Sequence, residues 1–501
     1  MKTSNLFLRH LIAFSIVFLF FASQIAYSQF NANDKDSLSL IVARAFDVTN
    51  SIGTTWHSPL FNVAPDEYHN EWQQSGVKWF RSYIQWRDFE IGSKGNYPVQ
   101  PYIIKGDTLC KDKLIDHYAS LKSHGIEPLV LLCKGNPLYD PEYHEADNTG
   151  HLFDPKTPDI DYLSPQGFAN FCGEIAKRYK KYIKYYELSN EPYGFIFYRY
   201  YGDSSCGANS KWMPHFVTYF NDAATRIKQV YRNANLPPPK ILSPGDNNLP
   251  AMEAYLPQIA PNVDILAIHP YVWTADGTPE LSCARVLQPF LDLARINNIK
   301  EVWITEIGWT TQNGISQENQ HDIATTEIGQ AKYIMRGLFY YPIRYGIKVY
   351  STYCWADGDQ QFFVHPTLLR AFRNVKAILG NPVENVPINQ YKDMLDSVIF
   401  ENSAYIHSMV ERYLLVKDNK TLYYIYWLRV KQMDNFRKQC VKIFITQPSG
   451  VFIDSIGLYD ILETAATPVP ISFTPRKSGK YLVIEKVDIA DYPLLLKIRL
   501  K

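Results

Sequence analysis

Tyr186-Glu187-Leu188-Ser189-Asn190-Glu191-Pro192-Tyr193 is a short apolar stretch that runs into a glutamate and is stopped by a proline. That is how a buried strand ending in a turn reads. Val302-Trp303-Ile304-Thr305-Glu306-Ile307-Gly308-Trp309 has the same plan, again with a glutamate where the chain must turn. Working outward from these two, apolar runs recur near Ile41–Val48, Val77–Ile84, Pro128–Cys133, Ile183–Ser189, Lys240–Ser243, Val263–His269, Glu301–Glu306 and Ile347–Cys354. Longer segments of helical period lie between them, for example Lys111–His124, Pro165–Lys180, Met213–Asn233 and His321–Tyr345. The alternation predicts repeated βα units on a parallel sheet, and eight of them fit a (β/α)8 barrel. An open doubly wound sheet would more often carry a glycine-rich loop after its first strand. Here Asp47-Val48-Thr49-Asn50 follows instead.

After Leu379-Gly380-Asn381-Pro382 the pattern changes to breakers and then to strand-like runs: Ala404–Lys417, Thr421–Val430, Val441–Thr446, Tyr481–Val487 and Asp491–Leu500. The division expected is a barrel over 29–382 and a small all-β sandwich domain over 383–501. Residues 1–28 combine Lys2 and Arg9, the apolar run Leu11–Ala22 and the small-residue end Ala26-Tyr27-Ser28, which reads as a cleavable signal peptide. The expectation is a secreted or periplasmic chain, with no membrane insertion after cleavage. The expected cleavage site is followed by Gln29 rather than a lipid-accepting cysteine.

Lys and Arg number 51 against 50 Asp and Glu, so there is no field to capture nucleic acid or an anionic surface. The 36 tyrosines and 10 tryptophans offer flat faces for sugar rings and polar edges for hydroxyls, although most aromatics in any chain serve packing. Seven cysteines (110, 133, 172, 206, 283, 354 and 440) are scattered without a CxxC pair, which argues against a zinc or thiol-redox centre. Cys133 and Cys354 sit in apolar runs and read as buried hydrophobes. No metal and no cofactor is expected.

Two glutamates at two strand ends suit glycoside cleavage. The oxocarbenium-like transition state needs an acid on the leaving oxygen and a carboxylate at the anomeric carbon. One must be protonated and the other ionised at the same pH, which only their surroundings can arrange. Arg81, in Lys78-Trp79-Phe80-Arg81-Ser82-Tyr83, is a charge in an apolar strand and calls for a carboxylate partner. His269-Pro270-Tyr271 closes the sixth run and could hold a carboxylate or a sugar hydroxyl, or could be a satisfied core pair. Trp355 at the end of the eighth run is a candidate floor under a sugar ring, Trp309 a further candidate contact, and the aromatic segment Phe195–Tyr201 a candidate cleft wall.

On these residues the chain resembles the clan A glycoside hydrolases, with Gly125-Ile126-Glu127-Pro128-Leu129 and Gly135-Asn136-Pro137-Leu138-Tyr139 closest in look to family 39 and then family 5. The resemblance implies a retaining β-glycosidase acting on an oligo- or polysaccharide. Glu191 would be the acid/base, Glu306 the nucleophile, and Asn190, Arg81, His269, Tyr271 and Trp355 would line the sugar site. A histidine common at the end of strand three is replaced by Cys133-Lys134-Gly135-Asn136. The rival readings are a transglycosylase using the same residues and a noncatalytic carbohydrate-binding protein on a barrel scaffold.

Overall fold

The structure, a computed structural model, describes residues 51–57, 66–99, 101–104, 107–136, 138–139, 164–192, 212–271, 278–309, 311, 325–357, 364–380, 399–401, 409–418, 420–446, 451–475 and 481–501. Eight strands close a parallel barrel: β1 (Ile52–His57), β2 (Trp79–Gln85), β3 (Glu127–Cys133), β4 (Tyr185–Leu188), β5 (Lys240–Leu242), β6 (Ile265–Ile268), β7 (Glu301–Ile307) and β8 (Tyr350–Asp357). Each pairs with its sequence neighbours, and β1 closes the ring on β8. The first strand is therefore Ile52–His57 and not the Ile41–Val48 run, which lies outside the described residues. The helices α1 (Asp66–Gln74), α2 (Lys113–Ser123), α3 (Pro165–Tyr179), α4 (Trp212–Asn233), α5 (Leu249–Ile259), α6 (Pro279–Ile296), α7 (Glu327–Tyr345) and α8 (Pro366–Leu379) follow the strands. Side chains cap several starts, as Ser164 does for Gly167 N on α3 and Thr326 for Gly329 N on α7.

Alternation along the strands sorts the layers. On β2, Phe80 and Ile84 face the helices, while Trp79, Arg81 and Tyr83 face the lumen. The floor of the lumen is aromatic: Trp303 meets Trp79 with ring centres 4.8 Å apart and Tyr185 at 5.2 Å, beside Leu129, Leu242 and Ile265. Arg81, Glu187 and Thr305 stand one layer higher, fully buried.

Beyond the barrel come two antiparallel sheets. With β9 (Ile399–Glu401), β10 (Val410–Asp418), β11 (Thr421–Leu428), β12 (Gln439–Thr446), β13 (Ile453–Asp460), β14 (Val469–Pro470), β15 (Thr474–Pro475), β16 (Tyr481–Ile489) and β17 (Leu494–Leu500), the orders are β9-β12-β16-β15 and β10-β11-β17-β13-β14. The expected domain boundary at 382 lies outside the described residues. Among those residues no helix is long and apolar enough to cross a membrane.

Candidate active site

The C-terminal ends of β2, β4, β6 and β7 bring most of the chemically active side chains into one cluster, on the face where barrel enzymes work. Beyond β4 the backbone leaves ordinary space: Ser189 has φ +73° and Glu191 φ +39°, conformations that cost of order 1–3 kcal/mol at a residue with a side chain. Glu191 N donates to Gly245 O at 2.8 Å, and Ser189 N to Leu132 O at 2.8 Å, which hold the turn in place.

Arg81 organises the interior. Its Nε and Nη2 donate to the two oxygens of Glu187 at 2.8 and 2.7 Å, a fork-to-fork ion pair. Nη2 also reaches Asn190 Oδ1 at 2.7 Å, while Nη1 serves Tyr83 Oη at 2.9 Å and Glu306 Oε1. All five guanidinium N–H groups are thereby used. Tyr83 donates onward to Glu306 Oε1 at 2.6 Å, and Tyr271 points its hydroxyl at Oε2 from 3.4 Å.

Burial alone would push the Glu306 carboxyl up, but the charges of His269 and Arg81 and the Tyr83 hydrogen bond outweigh it, so the group is held below the ordinary glutamate range. His269 responds in the opposite sense. Burial lowers it, yet Glu306 and its hydrogen bond with Glu191 raise it above the ordinary value. Its Nδ1 lies 2.8 Å from Glu191 Oε1 and 3.7 Å from Glu306 Oε2. The two candidate carboxyls differ in setting: the Glu306 side chain is 7% exposed, and that of Glu191, at the lip, 17%. One oxygen of each and an imidazole nitrogen fall within 4.8 Å of one another. Such donors could accept a divalent cation, but the Arg81 charge bonded to Glu306 opposes one there.

Glu191, Glu306, Asn190, Arg81, His269 and Tyr271 thus meet. The two tryptophans do not join them. Trp355 directs its indole N–H to Glu71 Oε1 at 2.8 Å and packs against Trp72 and Phe372 on the helix side of the wall, so it is core and not a sugar floor. The ladder of β8 with β7 slips between Tyr350 and Thr352, so a place at the end of the strand does not say which way the side chain points. Trp309 is buried against Tyr333 of α7, with ring centres 5.4 Å apart. Phe195–Tyr201 lies outside the described residues. The sequence reading missed Glu187, Tyr83, Thr305 and Asn247, whose Nδ2 lies 3.4 Å from Glu191 Oε1. For Glu187 the signal was present: an acid at the same inward parity as Arg81, two strands round the barrel.

No protein-family model and no curated protein matches the sequence. Solved structures match in shape. A family 39 glycoside hydrolase from the gut symbiont Bacteroides cellulosilyticus WH2 aligns over 91% of this chain and 82% of its own, with 17% identity and a TM-score of 0.58. A GH30 endoxylanase from Clostridium papyrosolvens C71 aligns over 92% and 98%, with 12% identity and a TM-score of 0.52. A family 51 alpha-L-arabinofuranosidase from Bifidobacterium longum aligns over 91% and 97%, with 11% identity and a TM-score of 0.50. The likeness extends through the barrel and the β sheets that follow it.

Proposed function

We propose that the chain is a retaining β-glycosidase acting on an oligo- or polysaccharide, with Glu306 as nucleophile and Glu191 as acid/base. The carrying observation is the unequal pair: two carboxyls with oxygens within 4.8 Å of each other, one gripped by Arg81 and Tyr83 and the other at the lip beside His269. Carboxyl groups about 5 Å apart suit double displacement, whereas inversion needs room for a water between them, at roughly 6.5–9.5 Å; facing oxygens this close favour the former. That the similar solved structures are described as glycoside hydrolases of families 39, 30 and 51 supports the class.

In the first step the Glu306 carboxylate bonds to the anomeric carbon as the glycosidic C–O bond breaks, and Glu191 gives its proton to the leaving oxygen. In the second, Glu191 takes a proton from water, whose oxygen displaces Glu306 and regenerates the carboxylate. Asn190 Oδ1 is committed to Arg81, which leaves its NH2 to donate to the sugar 2-hydroxyl. The proposal has the chain exported, on the strength of the Lys2–Ser28 segment.

A panel of aryl β-glycosides and polysaccharides would be assayed with the wild type, Glu191→Ala and Glu306→Ala. Both variants are expected to lose at least about 10²–10⁴-fold in kcat/KM, as general acid–base and nucleophilic roles require. Azide should rescue Glu306→Ala to an α-glycosyl azide and Glu191→Ala to a β-glycosyl azide. Undiminished turnover by Glu306→Ala would overturn the assignment. Transfer to added acceptor sugars in preference to water would make the enzyme a transglycosylase.

A further inference from the structure

We propose that Thr305, with Glu187 behind it, dictates which ring nitrogen of neutral His269 carries the hydrogen and thereby leaves Nδ1 bare to accept from the acid/base Glu191. The catalytic consequence rests on the glycosidase reading; the hydrogen-bond logic does not.

Glu187 is a carboxylate in a two-pronged ion pair with Arg81, and it also accepts from Gly245 N at 3.0 Å. It offers lone pairs only. Thr305 Oγ1 lies 3.4 Å from Glu187 Oε1 and 3.1 Å from His269 Nε2. A hydroxyl has a single proton to give, and of its two neighbours Glu187 is the one that can do nothing but accept it. The same oxygen can then only accept from the imidazole, so Nε2 carries hydrogen. The tautomer follows from what each partner can chemically do.

Consequences follow at the other nitrogen. Nδ1 lies 2.8 Å from Glu191 Oε1. In the neutral ring it is bare and accepts from the Glu191 carboxylic acid; in the imidazolium it donates to the Glu191 carboxylate. Either way one proton resides between the two groups. The opposite tautomer would turn an N–H to Glu191 without that extra proton. It would favour the carboxylate, the form unable to protonate a leaving oxygen.

The groups facing the ring come from every neighbouring strand end: Glu191 after β4, Asp246 and Asn247 after β5, Glu306 on β7, Arg81 on β2 and Tyr271 along its own segment. These charges bear on how readily the ring is protonated. Thr305 decides where the hydrogen of the neutral ring sits. It is a positioning residue, acting through His269.

Thr305→Val removes the hydroxyl at nearly constant shape, and Thr305→Ser retains it. The full-length protein would be examined by ¹⁵N–¹H correlation of the His269 ring, identified by its loss in His269→Gln, and by kcat/KM against pH on an aryl β-glycoside it turns over. At a pH high enough for the ring to be neutral, wild type and Thr305→Ser are expected to show the Nε2–H pattern, and Thr305→Val the Nδ1–H pattern. In Thr305→Val the alkaline limb should move down by about 1 pH unit, the worth of one hydrogen bond, with the acid limb and thermal midpoint nearly unmoved. An Nδ1–H ring in the wild type overturns the proposal, and so does a Thr305→Val protein with unchanged ring pattern and unchanged alkaline limb. Should Thr305→Val fail to fold, the wild-type spectrum still decides. Should no glycoside be hydrolysed, the glycosidase reading fails while the ring pattern still tests the tautomer.

Discussion

At Gly245 a methyl group has nowhere to go, because a Cβ there would lie 2.2 Å from His269 Nε2 and 2.5 Å from Glu187 Oε1. Gly245→Ala must displace one or both, and a shift of about 1 Å in catalytic groups costs on the order of 10²-fold; kcat/KM is expected to fall by at least that much while far-UV circular dichroism is unchanged. The next residue carries a pH signature. Burial pushes the Asp246 carboxyl up to about 7, against which the N–H groups of Asn248 and Asn247 work only partly. A folded value above the unfolded one means that its contribution is intact below about 4 and is lost as pH rises through 7. Asp246→Asn, which can turn its NH2 to Tyr255 Oη where Asp246 now accepts, should flatten the decline in melting temperature between about pH 4 and 7, the window the shift spans. A decline of equal size in both proteins would refute that. Charged residues were legible where they were out of character for their strand, as Arg81 and Glu306 are. Thr305 was not, because a threonine inside a strand is ordinary and only its neighbours across the lumen give it meaning.

Elements were readable to the extent that their two faces were both apolar. β2 through β8 lie close to the runs that predicted them, since a parallel strand buried on both faces writes a continuous hydrophobic stretch. β1 does not. It reads Ile52-Gly53-Thr54-Thr55, small and polar because the barrel closes tightly there: a Cβ on Gly53 would meet Ser351 Cβ at 3.1 Å. Helix α7 was visible as a period, but its inward charges were not interpretable without partners. Arg336 donates to Glu280 Oε1 at 2.8 Å and to Val430 O at 2.7 Å, and Trp427 Nε1 donates to the same Glu280 oxygen at 2.7 Å. Arg336→Met would leave a buried carboxylate with an indole for company, and about 3–5 kcal/mol should be lost in urea unfolding. Pairing it with Glu280→Met should recover most of that loss; if the double variant is as unstable as the single one, the ion pair is not what matters.

For the molecule as a whole, these bonds make the β sheets and the barrel parts of one body. Lys332 on α7 meets Asp491 at 2.8 Å, Asn374 on α8 donates to Ile461 O at 3.0 Å, and Tyr423 on β11 donates to Ile378 O at 2.8 Å. A single apolar core runs from Ile52 of the barrel to Leu500 of the last strand. The sequence marked where the second fold begins through its change of period, but a period cannot say what a face will be pressed against. The aromatic floor of Trp79, Tyr185 and Trp303 has a consequence of its own. Among the described residues that floor closes the barrel beneath the carboxylates, so what reaches them from the lip leaves by the lip. Under double displacement the departing fragment and the incoming water would then share one passage and use it in turn. The fate of the captured sugar would depend on which molecule, water or another alcohol, first fills the vacated opening.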